Sequence, residues 1–464
     1  MNEKVSILAR AAVYLGPTSA PRATVILTGA VAALGGLLFG YDTSVISGAM
    51  LFLRTDFHLT DTQLEFAVGI ALLGALAGSA QAGYCADRWG RRVTLVGTGI
   101  GFGVFAVLSG LAPGLIIFTI ARFFVGVCIG VASLVTPLYL AEMSPARIRG
   151  ALVSLNQLAI TIGIGVAYFV DYALAASQNW RWMFITAVFP AVVLILGMIG
   201  LPESPRWLAR AGRSGQALLA FRRLGRGPEA EAELQGIEHV LAEEPEGFGI
   251  LLQPGFRIAV FVGIGLAVFQ QITGINTIIY YSPEILRVSG YPSAEAAILA
   301  AGGIGAVNVF ITVVSILLVD RLGRRFLLLL GTAGMAVALT LVGLTFHRQA
   351  AGKAIFCEMT AYIVFFGLGL GPVVWLLISE IYPTKIRGKA MSLATVTVWG
   401  ANWVVASTFL SLVHAAGPAD TFWIFAIVCV LAFVFCVAFV PETKGKSLED
   451  IERHWRHLGE KHAP

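Results

Sequence analysis

The sequence predicts an all-α membrane protein of twelve transmembrane helices, arranged as two six-helix bundles joined by a cytoplasmic linker with short helices. Three observations carry this. The 464 residues are 57% hydrophobic and only 13% charged, with a mean hydropathy of +0.82, which is more apolar surface than a soluble domain hides from water. Apolar runs of about 20 residues, the length that crosses ~30 Å of hydrocarbon, recur twelve times. The two halves of the chain also repeat each other in register.

Residues 1–23 carry Lys4, Arg10 and Arg22, with Pro17 and Pro21 interrupting any compact apolar stretch, and read as a cytoplasmic N-terminal segment rather than a cleaved signal. Spans follow near 24–50, 62–86, 93–112, 115–141, 149–173 and 181–201, making an N-terminal bundle over 24–201. The linker, 202–255, holds Arg206, Arg210, Arg213, Arg222, Arg223 and Arg226, then Glu229, Glu231, Glu233, Glu243 and Glu244. Its Ala, Leu and charged content with few breakers favours short surface helices. Six further spans lie near 256–284, 294–319, 326–346, 354–381, 389–414 and 419–440, a C-terminal bundle over 256–440, and 441–464 is a cytoplasmic tail.

Loop charges set the topology. Arg88, Arg91 and Arg92, then Arg147 and Arg149, the linker, Arg321, Arg324 and Arg325, and Lys385, Arg387 and Lys389 fall on one side, so that side and both termini are expected in the cytoplasm. The formal charge of +5 then reflects these loops and not a nucleic-acid partner. Cys85, Cys128, Cys357, Cys429 and Cys436 form no CxxC pair and read as small core residues. No metal-ligand spacing and no nucleophile beside a base is found, and the histidines are scattered, so neither a metal site nor an enzyme is expected.

The repeat is explicit: DRWGRR from Asp87 matches DRLGRR from Asp320, AEMSPARIRG from Ala141 matches SEIYPTKIRG from Ser379, and PES at Pro202 matches PET at Pro441, with offsets of 233 to 239 residues. Such a duplication places a substrate site between halves that rock against each other.

Within the spans, Asp42 follows a long apolar stretch of span one, where a carboxylate at the bilayer centre costs about 2.5–3.5 kcal/mol. At 1.5 Å per residue, Asp42 lies roughly 27 Å up span one and Arg122 roughly 10 Å down span four, at a similar depth in the outer half. Desolvation favours the neutral acid and a guanidinium the charged one, so a small motion switches protonation. A static ion pair holding the two spans together is the other open reading. Six amides, Gln157, Gln270, Gln271, Asn276, Asn308 and Asn402, stand in otherwise apolar helices, with aromatic surface from Trp375 and Trp399. Neutral amides that donate and accept, beside an aromatic platform, suit a polyhydroxylated ring such as a sugar; the alternative is that they bind helix to helix. Tyr280 and Tyr281 read equally as an outer gate on span seven or as interfacial anchors. Gly369, Gly371 and Pro372 permit a break in span ten that acts as a hinge. Asp87, Arg88, Arg91, Arg92, Glu142, Arg149 and Glu203, with their repeats Asp320, Arg321, Arg324, Arg325, Glu380, Arg387 and Glu442, lie at cytoplasmic ends where opposite charges can pair across the halves and latch them. Solvated residues without specific partners are the alternative.

Phe39-Gly-Tyr-Asp-Thr, Gly83 to Arg92, Pro202-Glu-Ser-Pro-Arg, Gln270-Gln-Ile-Thr-Gly-Ile-Asn and Pro441-Glu-Thr-Lys-Gly resemble, in order and spacing, the sugar porter family of the major facilitator superfamily, from about Ala23 to Ser447. The resemblance implies the major facilitator fold and a proton-coupled symporter of a hexose or pentose working by alternating access. Asp42 and Arg122 then match the coupling pair. Gln157, Gln270, Gln271, Asn276, Asn308 and Trp375 match sugar-contacting positions, Phe39, Trp399 and Asn402 lie in or beside the cavity, and the charged loops match the intracellular charge lock. Gly367 departs from a Glu of facilitative members and Val398 from a Gln of a bacterial symporter, so no particular sugar is implied. A uniporter without proton coupling is the rival reading, and a sugar sensor is disfavoured by the short tail. No cofactor beyond the proton as coupling ion is expected. The expected partners are a monosaccharide, a proton and membrane lipids, for a monomer in a bacterial cytoplasmic (inner) membrane.

Overall fold

The computed structural model describes residues 22–144, 149–224, 230–242, 248–349, 352–382 and 386–445, with Ile451 and Trp455. Among the described residues every regular element is a helix, as hydrocarbon demands of a chain that must satisfy its own backbone. The N-terminal half comprises span one (Arg22–Asp56), span two (Asp61–Trp89), span three (Arg91–Gly110), span four (Leu115–Met143), span five (Arg149–Ala175) and span six, which is broken into Trp180–Ile185 and Val188–Gly200. The C-terminal half comprises span seven (Pro254–Ile272 and Ile275–Val288), span eight (Ala294–Leu322), span nine (Arg324–His347), span ten (Gly352–Leu368 and Pro372–Ile381), span eleven (Arg387–Ala406 and Phe409–Ala416) and span twelve (Pro418–Phe439).

Start signals are local. Thr60 and Gln63 close a reciprocal capping box on span two, and Ser293 caps span eight through the Ala296 N–H. Between the halves, helices Pro205–Arg210, Ser214–Arg223 and Ala230–Ala242 pack Leu208, Phe221 and Leu234 into a small core of their own. The linker is thus helical, as its composition predicts. Residues 1–21 and most of the tail beyond 445 lie outside the described residues, as does the side chain of Arg149.

Close packing of span two on span four rests on four glycines. Built Cβ atoms on Gly74 and Gly78 of span two would stand 2.0 and 2.2 Å from carbonyl oxygens of span four, and on Gly126 and Gly130 of span four 1.9 and 2.0 Å from carbonyls of span two. Both are small-xxx-small pairs, so two backbones meet where lipid supplies no hydrophobic drive and dispersion must hold the helices.

The duplicated motifs build the same corner twice. At Gly90 (φ +95°) and Gly323 (φ +91°) the chain turns from span two into three and from eight into nine. Glu203 accepts the Arg91 and Arg92 backbone N–H groups, and Glu442 those of Arg324 and Arg325. Arg91 reaches Glu142 and Asp87, and Arg324 reaches Glu380 and Asp320. Glu142 accepts the Ser204 hydroxyl and Glu380 that of Thr443. Guanidinium groups of Arg92 and Arg325 donate to carbonyls at the ends of spans six and twelve. Acidic groups thereby satisfy the orphan N–H groups that open spans three and nine.

These contacts are distinct from the expected latch across the halves at the basic end. Among the described residues, the ion pairs there close within one half, because each acidic partner is delivered by the same repeat that delivers its arginine. Asp87 also binds Arg210 of the linker at 2.9 Å. Arg88 and Arg321 are exposed, and Arg387 donates to the Tyr382 carbonyl.

Candidate substrate and proton site

Span seven crosses as expected but as two helical segments. Gly274, in the left-handed region at φ +93°, interrupts it, and the break falls inside the Gln270–Asn276 motif. Span ten breaks as the Gly-Pro sequence predicts, between Leu368 and Pro372. The two breaks satisfy each other. Gln270 Nε2 donates to the Leu370 and Gly371 carbonyls at 3.0 and 3.3 Å, while the Tyr362 hydroxyl of span ten donates to the Thr273 carbonyl at 3.0 Å. Broken helices are tolerated at membrane depth only with such substitutes for lost backbone bonds.

From Gln270 the amides form a ladder: Gln271 Nε2 donates to Gln270 Oε1 at 3.3 Å, and Asn276 Nδ2 donates to Gln271 Oε1 at 2.5 Å. Both protons of Gln270 Nε2 are engaged, but one proton of Gln271 and the Asn276 oxygen stay outside the ladder. Asn402 donates to the Tyr280 hydroxyl at 3.1 Å and keeps a buried, unpartnered Oδ1. Asn308 is buried on span eight, and Gln157 of span five and Trp375 of span ten are half-buried. Across the halves, Trp399 Nε1 donates to Ser133 Oγ at 3.1 Å and its ring lies 5.0 Å from that of Phe39. Ser133 is absent from the sequence reading, because a lone serine in an apolar span carries no signal.

Asp42 and Arg122 form a direct ion pair with both side chains almost fully buried. Arg122 also lies 5.2 Å above the Phe184 ring of span six. Asp42 Oδ2 and Arg122 Nε have no protein partner. The pair lines a small cavity of about 10 Å³ together with Ile46, Val68, Tyr280 and Trp399, close to the least space that holds one water. Tyr280 of span seven and Trp399 of span eleven share this space with the acid, and the amides Gln270, Gln271, Asn276 and Asn402 do not line it. A larger groove of about 410 Å³ between spans five and eight is lined by Ile162, Val166, Phe169 and Val309, and lacks the polar groups a sugar requires.

The end of the molecule opposite the basic loops is closed by bonds between the halves. The Tyr168 hydroxyl of span five donates to the Ile279 carbonyl at 2.6 Å and meets Ser282 at 3.1 Å. Arg54 binds Glu284 at 2.9 Å and also Asp61, which His414 approaches at 3.0 Å. Glu65, 3% exposed, accepts the backbone N–H of Ser411 at 2.7 Å and its hydroxyl at 2.5 Å. That carboxylate caps the second segment of span eleven, which departs by 40° from the first. Tyr280 and Tyr281 are buried, and Tyr281 donates to the Ala406 carbonyl, so neither ring anchors at the lipid interface. Glu65 and Asp171 are functional candidates the sequence reading passes over, although an acid inside an apolar span is visible there.

Outside the spans the two repeated corners differ. Burial pushes the Glu203 carboxyl above its ordinary value, against three backbone N–H donors that pull it down. Glu442 is less buried, and donors from Lys444, Arg324 and Arg325 outweigh burial and hold its carboxyl below the ordinary value.

The profile of a family described as sugar (and other) transporter matches residues 28–455. The chain is 38% identical to the arabinose-proton symporter of Bacillus subtilis, over 93% of this chain and 95% of that protein. It is 38% identical to the galactose-proton symporter of Escherichia coli, over 91% and 93%. A structure of the xylose transporter XylE from E. coli in a partially occluded inward open conformation superposes with a TM-score of 0.82 at 35% identity, over 91% of this chain and 99% of that one.

Proposed function

Because the chain belongs to the sugar transporter family of the major facilitator superfamily, we propose that it imports a monosaccharide together with a proton by alternating access. The observation that carries this reading is the buried Asp42–Arg122 pair opening onto the same small space as Tyr280 and Trp399. A charge pair at that depth is costly unless it works. With the far end open, a proton from that side neutralises Asp42 and releases Arg122. Sugar hydroxyls take up the free positions of Gln271, Asn276 and Asn402, with Gln157 and Asn308 contributing from their own spans and Gln270, its protons held by the span-ten carbonyls, offering only the second lone pair of its Oε1. Phe39, Trp375 and Trp399 cover the apolar ring faces.

Closure re-forms the far-end bonds of Tyr168, Arg54 and Glu65, with Tyr280 and Tyr281 as gate residues and the break at Gly371 and Pro372 as hinge. Release of sugar and proton at the basic end lets the ion pair return. Arabinose, galactose and xylose are the sugars of the relatives, and a pentose or hexose is the class proposed here. The positive-inside distribution supports a cytoplasmic basic end and termini, in the inner membrane of a bacterium, with the chain acting as a monomer. No cofactor other than the proton is invoked.

The test is accumulation in proteoliposomes under an imposed pH gradient. Wild type is expected to accumulate sugar, and Asp42→Asn to lose accumulation while retaining sugar exchange. Exchange without gradient-driven accumulation in the wild type makes the chain a uniporter. Equal loss of both activities in Asp42→Asn removes the dedicated coupling role.

A further inference from the structure

Asp171 lies about one turn from the far-side end of span five at Ala175, fully buried, and faces span one. Its Oδ2 accepts the Gly48 N–H at 3.1 Å, and its Oδ1 has no partner. Gly48 has no Cβ to fend it off, since one built there would lie 2.6 Å from the carboxylate. Ser44, on the same stretch of span one, also keeps a buried hydroxyl without a partner, and Ser47 lies beside the Tyr168 hydroxyl.

No cation offsets this carboxylate among the described residues. On the helices packed against span five, Tyr41 is bonded to Met183 and Thr186, Asp42 and Arg122 hold each other, Arg54 is held by Asp61 and Glu284, Arg181 is held by Asp56 and two carbonyls, and Glu295 is exposed. An ionised carboxylate sealed there, with one neutral donor, would leave most of its hydration unreplaced, a penalty of several kcal/mol. One turn earlier on span five, Tyr168 makes the hydroxyl bonds to Ile279 and Ser282 that seal the halves at the far end. The same helix face thus carries both the unpartnered acid and the seal.

We propose that Asp171 is a second proton-binding site, distinct from Asp42: it holds a proton on Oδ1 while the far end is closed and gives it back to far-side water when that end opens. The proton comes from and returns to the same side, so Asp171 adds no proton to those carried with sugar. Instead it links far-end closure to acidity on that side. This consequence rests on the alternating-access reading, whereas the site itself rests on the geometry.

Infrared spectroscopy of the full chain in nanodiscs tests it without sugar or transport, so this proposal and the symport reading fail separately. A protonated carboxyl absorbs apart from a carboxylate. At neutral pH the spectrum of wild type minus Asp171→Asn is expected to contain the protonated band. In a Gly69→Trp background, whose side chain wedges against Ser407 where a Cβ alone meets Oγ at 2.1 Å, the halves are held apart at the far end and that difference band is expected to be lost. Absence of the band from the first difference, or equal bands in both backgrounds, overturns the proposal. Should Asp171→Asn not fold, Asp42→Asn with carboxyl-labelled aspartate still decides: a protonated aspartate signal that persists at neutral pH without Asp42 is expected, and its absence overturns the proposal.

Discussion

Replacing Glu65 with leucine isolates the bond that most strongly favours closure of the far end. Glu65 is 3% exposed and accepts two bonds from Ser411 across the halves. When the halves part, water replaces both, so only the net worth of a charge-assisted bond is at stake, about 2 kcal/mol. By comparison Arg54–Glu284, with side chains 35% and 20% exposed, belongs to the class worth under about 1 kcal/mol. Glu65→Leu is therefore expected to raise the open population about 30-fold, and Arg54→Gln by less than about 5-fold. The readout is the rate at which a membrane-impermeant maleimide added from the far side labels Ile46→Cys, a position lining the small cavity beside Asp42, in a background with the native cysteines changed to serine. A Glu65→Leu rate within about twofold of the parent, or an Arg54→Gln effect that exceeds it, refutes the ranking by burial.

Gly126→Ala puts a methyl group 1.9 Å from the Ala71 carbonyl oxygen. It is expected to lower the thermal midpoint sharply, whereas Gly97→Ala, with nothing within 4 Å, stays near the parent; similar midpoints would remove the close-packing argument for spans two and four. Gln270→Leu strips the donor from two carbonyls at the span-ten break and is expected to destabilise the sugar-free protein by about 1–3 kcal/mol, and parental stability in that variant would show the bridge to be dispensable. The pH dependence of the two corners has opposite sign. Glu442, held below its ordinary value of 4.5, contributes stability that is present above that value and lost as pH falls through the folded one; Glu203, raised above 4.5, binds its proton more tightly when folded and so weakens the fold as pH rises through that window. Thermal midpoints across the acid range should show Glu442→Gln reducing the acid-side loss and Glu203→Gln reducing the loss on raising pH; the same sign for both would contradict the assignment.

Spans, repeat and the gathering of the basic loops at one end were legible in the sequence because each follows from local composition: apolar length, clustered arginines, and motifs 233 to 239 residues apart. The Asp42–Arg122 pair was legible too, since two charges at matched depth in lipid have few alternatives to each other. The Gly-Pro pair disclosed the break in span ten because proline removes a donor wherever it stands.

What tertiary structure alone decided is which distant group answers each unsatisfied one. Gln270 reads as a free ligand for sugar until the carbonyls of Leu370 and Gly371 are seen to claim its protons. The basic loops read as one charge network, and packing alone assigns Glu142 and Glu203, or Glu380 and Glu442, to the arginines of their own repeat. Glu65 and Asp171 read as stray acids until Ser411 and Gly48 arrive from other spans. Hydropathy and spacing are sums along the chain, whereas a hydrogen bond inside lipid is settled by which helices meet, and that meeting is a property of the packed whole.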